Sequence, residues 1–317
     1  IYYPGIQEDE AEIVFQNQKI NYRTVIEYFQ NPFRILQKSS YQVEAPGDSR
    51  PYFFHFFKWQ QVKDTFRNLG KRWLPFGGAG FLFVLFVFLV IVVLSIFFIL
   101  IPGGLLSRRR IRFFGQGSLE LAAIITGAGY MLIEIPVIVQ LEMIIGFPIY
   151  TFAVVLAVLL VFSGLGSRYV EKFQSHHFIS GMIFIHPFIL LGFFLFISLL
   201  RSWLLRLPEG ISMVITLLPF SLVAFVAGMP FPILSRLTQQ RHPGFFQVVF
   251  AWNGFMSVIA SLLSHIAAVE FGILFPYLLS IPVYVGFWII AYYLKRSTPP
   301  GFREGEEQIQ PRPNFPK

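Results

Sequence analysis

The chain has 317 residues, 55% hydrophobic and 13% charged, with a formal net charge of +8 and a mean hydropathy of +0.62. Soluble domains carry about 25% charged residues, so this composition excludes an ordinary water-soluble enzyme. There are no cysteines. That excludes disulfides, thiolate metal sites and iron–sulfur clusters, and leaves the redox compartment undetermined. The basic residues mostly flank apolar runs, a pattern that in a membrane protein reports topology and anionic lipid rather than DNA.

The chain opens at Ile1 without a basic n-region, a short apolar core and a cleavage site, so no signal peptide is expected in it. Residues 1–50 read as the edge of a soluble α/β domain, with a short strand followed by a helix between Ile13 and Phe29. The soluble-reading stretch as a whole, residues 1 to about 75, sits near the lower limit for an independent core. An aromatic and basic segment follows over 51–77, with Tyr52, Phe53, Phe54, Phe56, Phe57 and Trp59 beside Lys58, Lys63, Arg67, Lys71 and Arg72. This mixture suits a helix lying at headgroup level.

Residues 78–294 read as an all-α integral membrane domain. Apolar stretches of about 20 residues recur there, each long enough to cross a ~30 Å hydrocarbon layer, and about seven are counted. They run roughly Gly78–Pro102, Leu119–Ile145, Ile149–Leu165, Phe178–Leu200, Ile211–Leu234, Gln247–Val269 and Gly272–Leu294. None alternates with period two as barrel strands do. The tail over 295–317 is rich in proline and charge, which favours disorder. Arg108–Arg110, Arg112, Arg168, Lys172, Arg236, Arg241, Lys295 and Arg296 fall on one side of the spans, against Arg201 and Arg206 in the short loops of the other. The positive-inside rule then places the N-terminal segment outside, whereas five basic residues just before the first span argue for the opposite orientation.

Polar groups inside the spans need a reason, because a charge at the bilayer centre is costly. Glu134 lies deep in the second span, on one helical face with Gly127 and Tyr130. Pro136 follows and removes a backbone donor. Glu134 reads either as a protonatable or cation-binding carboxylate facing a cavity, or as a carboxyl held by a neighbouring polar group. In the sixth span Asn253, Ser257, Ser261 and Ser264 line one face, with His265 beside it. That stripe either lines a polar path or lets helices pack closely and hydrogen-bond. Gly228-Met229-Pro230-Phe231-Pro232 interrupts the fifth span, reading as a transporter-type helix break or as a helix ending at the interface. The glycines of Ser163-Gly164-Leu165-Gly166-Ser167 read as close packing or a turn, since no βαβ context makes them a nucleotide loop. Among the histidines, His186 precedes Pro187 and reads as capping a kink. It lies at a different depth from His265, so haem is disfavoured, and no ligand spacing fits zinc. No metal or other cofactor is expected.

Several of these segments together resemble the membrane half of bacterial multi-spanning proteins known as fused major-facilitator/spermidine synthase proteins. The residues that carry the resemblance are Asp48-Ser49-Arg50-Pro51-Tyr52-Phe53-Phe54-His55-Phe56-Phe57-Lys58-Trp59, Met131 to Pro136, Phe162 to Ser167, Gly228 to Pro232, and Ala251-Trp252-Asn253-Gly254 with Ser257. The order and spacing of these segments match from about Tyr3 to Leu294. The chain departs from the pattern at Ser49, where the family usually carries an acid. It also has no match for the glycine-rich loop and acidic residues that hold the donor in such synthase domains.

The resemblance implies a remnant edge of a synthase- or methyltransferase-like domain over 1–50 and a catalytic head elsewhere. No catalytic residue is assigned to this chain. The expected function is a membrane module that anchors a soluble head and handles a small cation such as a polyamine, in the bacterial cytoplasmic membrane. The candidate polar site is Tyr130, Glu134, Asn253, Ser257 and His265, with helix breaks at Pro136, Gly228, Pro230 and Pro232. The alternatives are a non-catalytic structural subunit of a larger membrane complex and a secondary transporter. The absence of a visible internal repeat lowers the odds of the transporter. The bilayer is the expected partner, with other subunits as candidates, and no continuous basic patch supports nucleic-acid binding.

Overall fold

The structure is a computed structural model that describes residues 12–15, 18–21, 47, 50–52, 55, 57–63, 79–102, 117–172, 175–242 and 244–297. Its contacts divide the chain into two compact units, Ile1–Leu89 and Val90–Lys317. In the first unit, β1 (Glu12–Phe15) pairs antiparallel with β2 (Gln18–Asn21), with Ile13 opposite Ile20. The strand expected near Ile13 is therefore half of a hairpin, and the helix expected after it lies outside the described residues. A 3₁₀ turn at Trp59–Gln61 is what the described residues show of the interfacial segment. Phe57 is buried there against Trp59 and Phe81, with ring centroids of Phe57 and Phe81 5.0 Å apart, and the His55 ring packs edge-on to Phe81. Burial pushes the Tyr52 phenol up to about 12, so it keeps its proton at neutral pH.

The rest is helical, and seven helices among the described residues are long and apolar enough to cross a bilayer. The chain is an all-α integral membrane protein. α1 (Ala79–Ser95) closes in a π-helical turn at Ile96–Leu100. It is followed by α2 (Gly117–Ile145), α3 (Pro148–Val170), α4 (His176–Leu204) and α5 (Glu209–Ala227). α6 (Pro230–Arg241), α7 (Phe246–Phe271) and α8 (Leu274–Arg296) complete the bundle. In lipid all backbone groups must be met within the segment, which is why these runs form helices rather than open strands.

Local chemistry sets the helix ends. Gly146 and Gly272 hold φ of 85° and 99°, and each N–H returns to its helix, to the Glu142 and Ala268 carbonyls. Only glycine enters that region without strain, so α2 turns into α3 and α7 into α8 in two residues. Pro148 and Pro230 start helices in the first turn, where no N–H is needed. Ser175 caps α4 by accepting from the Phe178 N–H at 3.1 Å. α4 runs unbroken past Pro187, and α2 past Pro136.

One expectation changes here. The apolar run does end near Leu234, but the helix does not: α5 ends at Ala227, capped by Gly228, and α6 starts at Pro230 and continues as a polar extension from Ser235 to Arg241. The Gly228 and Met229 N–H groups bond back to Ala224 and Val226, so the break spans less than one turn.

α2 is the axis of the second unit and packs against α3, α5, α6, α7 and α8. Of its most apolar window 56% is buried, against 6% for the first span. One core cluster gathers Leu119, Ala122, Val226, Val248 and Trp288, and the other Ile133, Leu141, Val155, Phe220 and Tyr284.

Candidate functional site

The polar groups of α2 lie near mid-membrane. Glu134 is 11 residues from Ile145 and 17 from Gly117, or about 17 Å and 26 Å along the axis at 1.5 Å per residue. Its carboxylate is half-buried and has no ion-pair partner among the described residues. One turn earlier, the Tyr130 phenol lies near Ser163 of α3 and Glu134, and the Ser163 hydroxyl donates to the Leu160 carbonyl at 3.4 Å. Pro136 leaves the Leu132 carbonyl without its usual helical donor.

Asn253 and Ser257 do not join that group. Asn253 Nδ2 donates to Thr126 Oγ1 at 2.9 Å and faces the Ala123 carbonyl at 3.3 Å. Ser257 Oγ donates to the Asn253 carbonyl at 2.9 Å, with the Gly127 carbonyl at 3.4 Å. A Cβ on Gly127 would collide with the Asn253 carbonyl oxygen and stand 3.0 Å from Ser257 Oγ. These contacts clamp α7 onto α2, the packing use of such residues rather than a polar path. Ser261 bonds back to the Val258 carbonyl of its own helix. His265 is exposed on the outer side of the bundle while Ser264 is wholly buried, so the ring stands off the stripe beside which the sequence put it.

The helix-break residues meet α3. A Cβ on Gly228 would overlap the Ser163 carbonyl, and one on Gly166 the Phe225 carbonyl. Two glycines thus press α3 and α5 together by bare backbone, each against the other helix. Gly164, two residues earlier, faces open space. Pro230 is buried at the head of α6 and frees no carbonyl toward a cavity: the Val226 carbonyl, four residues before it, takes the Met229 N–H. Pro232 sits in the first turn of α6.

Three residues of the neighbourhood escaped sequence reading. Tyr284 of α8 packs its ring on Gly129, beside Tyr130, and is fully buried. It stacks on His186 with centroids 4.2 Å apart. His186 does not cap a kink: it is fully buried, and its Nδ1 accepts from the Trp288 indole at 3.0 Å. With Nδ1 accepting, the neutral ring carries its hydrogen on Nε2. Tyr277, Tyr284 and Trp288 recur at spacings of seven and four, a helical face readable from sequence. Tyr277 donates to the Leu190 carbonyl at 3.0 Å, so this face ties α8 to α4 along its length.

A groove lies between Pro136, Val137 and Gln140 of α2, Phe193 and Phe194 of α4, and Tyr277 of α8. It is apolar, and Glu134 is not in its lining. Among the described residues no three His, Asp or Glu side chains stand together to hold a metal.

Of the segments Met131–Pro136, Phe162–Ser167, Gly228–Pro232 and Ala251–Gly254, the second and third meet at Ser163 and Gly228, and the fourth meets α2 at Ala123 and Thr126, about two turns before Glu134. Ser163 lies near Tyr130 and meets Gly228 with its backbone, while Asn253 and Ser257 hold α2 one turn before Tyr130. No protein-family profile, curated protein or solved structure matches this chain.

Proposed function

We propose that the chain is the membrane module of a spermidine synthase-like protein, anchoring a soluble head in the bacterial cytoplasmic membrane and holding a small cation such as a polyamine. The observation that supports this reading is Glu134 itself, a half-buried carboxylate inside the central helix of the bundle with no ion-pair partner among the described residues, while three of the segments that carry the resemblance join helices around it, Ser163 to Gly228 and Asn253 to Thr126 of α2. Intramembrane carboxylates of this kind are functional by default. The arrangement divides the labour. Asn253, Ser257, Gly166 and Gly228 fix the helices, and Glu134 with Tyr130 and Ser163 offers oxygen acceptors to an ammonium group. Aminopropyl transfer is assigned to the head and to no residue of this chain.

The test is spermidine binding to the purified chain in lipid nanodiscs, before and after Glu134→Gln. The expected result is a loss of affinity of about tenfold or more, on the order of 1.4 kcal/mol. Unchanged affinity in a folded variant would sink the cation reading while leaving the anchor intact. A second reading, a structural subunit of a larger complex, is favoured by the first span, which exposes Phe83 and Phe86 on α1 and Phe97 and Phe98 on the π-helical turn that closes it. Native electrophoresis in mild detergent showing only a monomer would count against it.

A further inference from the structure

The two ends of the α2–α8 bundle carry opposite charge. The turns at Gly146 and Gly272 mark one end, where Arg201 and Arg206 stand with Glu142, Glu209 and Glu270. Among the described residues, the other end carries Arg168, Lys172, Arg236, Arg241, Lys295 and Arg296 against Glu120 and Glu171. Hydrogen bonds place these basic residues together in space. Arg236 Nη1 donates to the Glu171 carbonyl at the end of α3 at 2.8 Å, and Arg241 Nη2 to the Leu294 carbonyl at the end of α8 and to Ser297. Both arginines of α6 are thereby committed to carbonyls at the negative poles of two helices. Arg168, Lys172 and Arg296 remain exposed and Lys295 half-exposed, on the rim where a spanning bundle meets the headgroups.

We propose that this rim is a docking surface for anionic phospholipid headgroups, and that it faces the cytoplasmic leaflet. The charge complementarity is direct: basic residues next to a span are attracted to an anionic leaflet and bias insertion toward the cytoplasm. The inference does not rest on the polyamine reading, because Glu134 takes no part in it.

The native chain has no cysteine, so single thiols report topology cleanly. His177→Cys marks the basic end and Leu205→Cys the other, both exposed positions. With a membrane-impermeant maleimide on intact cells, Leu205→Cys is expected to label at once and His177→Cys only after the membrane is opened; the reverse pattern would overturn the orientation. The lipid arm compares melting in nanodiscs of phosphatidylcholine with discs containing one-third phosphatidylglycerol. The expected shift is a gain of a few degrees in the anionic discs, kept by Arg206→Gln and lost in Lys172→Gln/Lys295→Gln/Arg296→Gln. An equal gain in the triple variant would overturn the docking surface.

Discussion

Two joints in this bundle start from the same close glycine contact and differ in what they add to it. α3 meets α5 at Gly166 and Gly228, backbone on backbone, beside the packed rings of Tyr169 and Phe225. α7 meets α2 where Gly127 approaches the Asn253 carbonyl, and adds polar side chains: Asn253 on Thr126, and Ser257 beside the Gly127 carbonyl. Lipid offers no hydrophobic drive for helices to associate, so contact area and hydrogen bonds must supply it. The bare joint derives its stability from dispersion over a close approach, which tolerates no added atom. The bonded joint adds directional contacts, which tolerate loss in steps. The difference teaches that the glycine contact is brittle in either joint, while the polar side chains added to the second yield in steps.

The largest effect should therefore follow from adding a single methyl group. Gly228→Ala and Gly166→Ala each force α3 and α5 apart, with an expected destabilisation of about 1–3 kcal/mol or more. Gly164→Ala, in the same motif but facing open space, should be neutral or stabilising by up to about 1 kcal/mol through helix propensity. Denaturation midpoints in mixed micelles would show the split. Equal effects at Gly164 and Gly166 would break the account of the bare joint.

Asn253→Leu comes next. It removes the donor to Thr126 yet keeps an apolar body in the contact, so a loss of about 1–2 kcal/mol is expected. A cycle with Thr126→Val isolates the pair, with a coupling of about 0.6 kcal/mol as measured for comparable membrane contacts. Zero coupling would mean that the joint is held by packing alone, like its counterpart.

Much of the fold was legible because the spans are long apolar runs, and length against bilayer thickness needs no partner to interpret. The second and seventh spans end within two residues of the sequence reading. The fifth does not. Pro230 and Pro232 read as a stop, but proline in a first turn begins a helix as readily as it ends one. Facing is a different matter. Gly164 and Gly166 look alike in sequence, and only the position of Phe225 separates them. His186 was misread as capping a kink because its partner, Trp288, lies 102 residues away. Glu134 and Tyr130 were visible through local spacing, whereas Ser163 and Tyr284 came to them from other helices.

The smallest expected effect is also the sharpest test of the bonded joint. Ser257 and Ser261 are one turn apart on the same stripe and equivalent in sequence. In the structure Ser257 donates to the Asn253 carbonyl of its own helix but also stands against the Gly127 carbonyl on α2 at 3.4 Å, while Ser261 donates to the Val258 carbonyl of its own helix. A serine bonded only to its own helix adds nothing to association and slightly disfavours the helix. Ser261→Ala should then be neutral to within a few tenths of a kcal/mol, or slightly stabilising. Ser257→Ala should lose about 0.5 kcal/mol, because it removes the hydroxyl at the point where Gly127 lets the two backbones meet. If the two serines respond alike, the stripe acts as a polar surface rather than a joint, and the sequence-level reading of a polar path through α7 regains its standing.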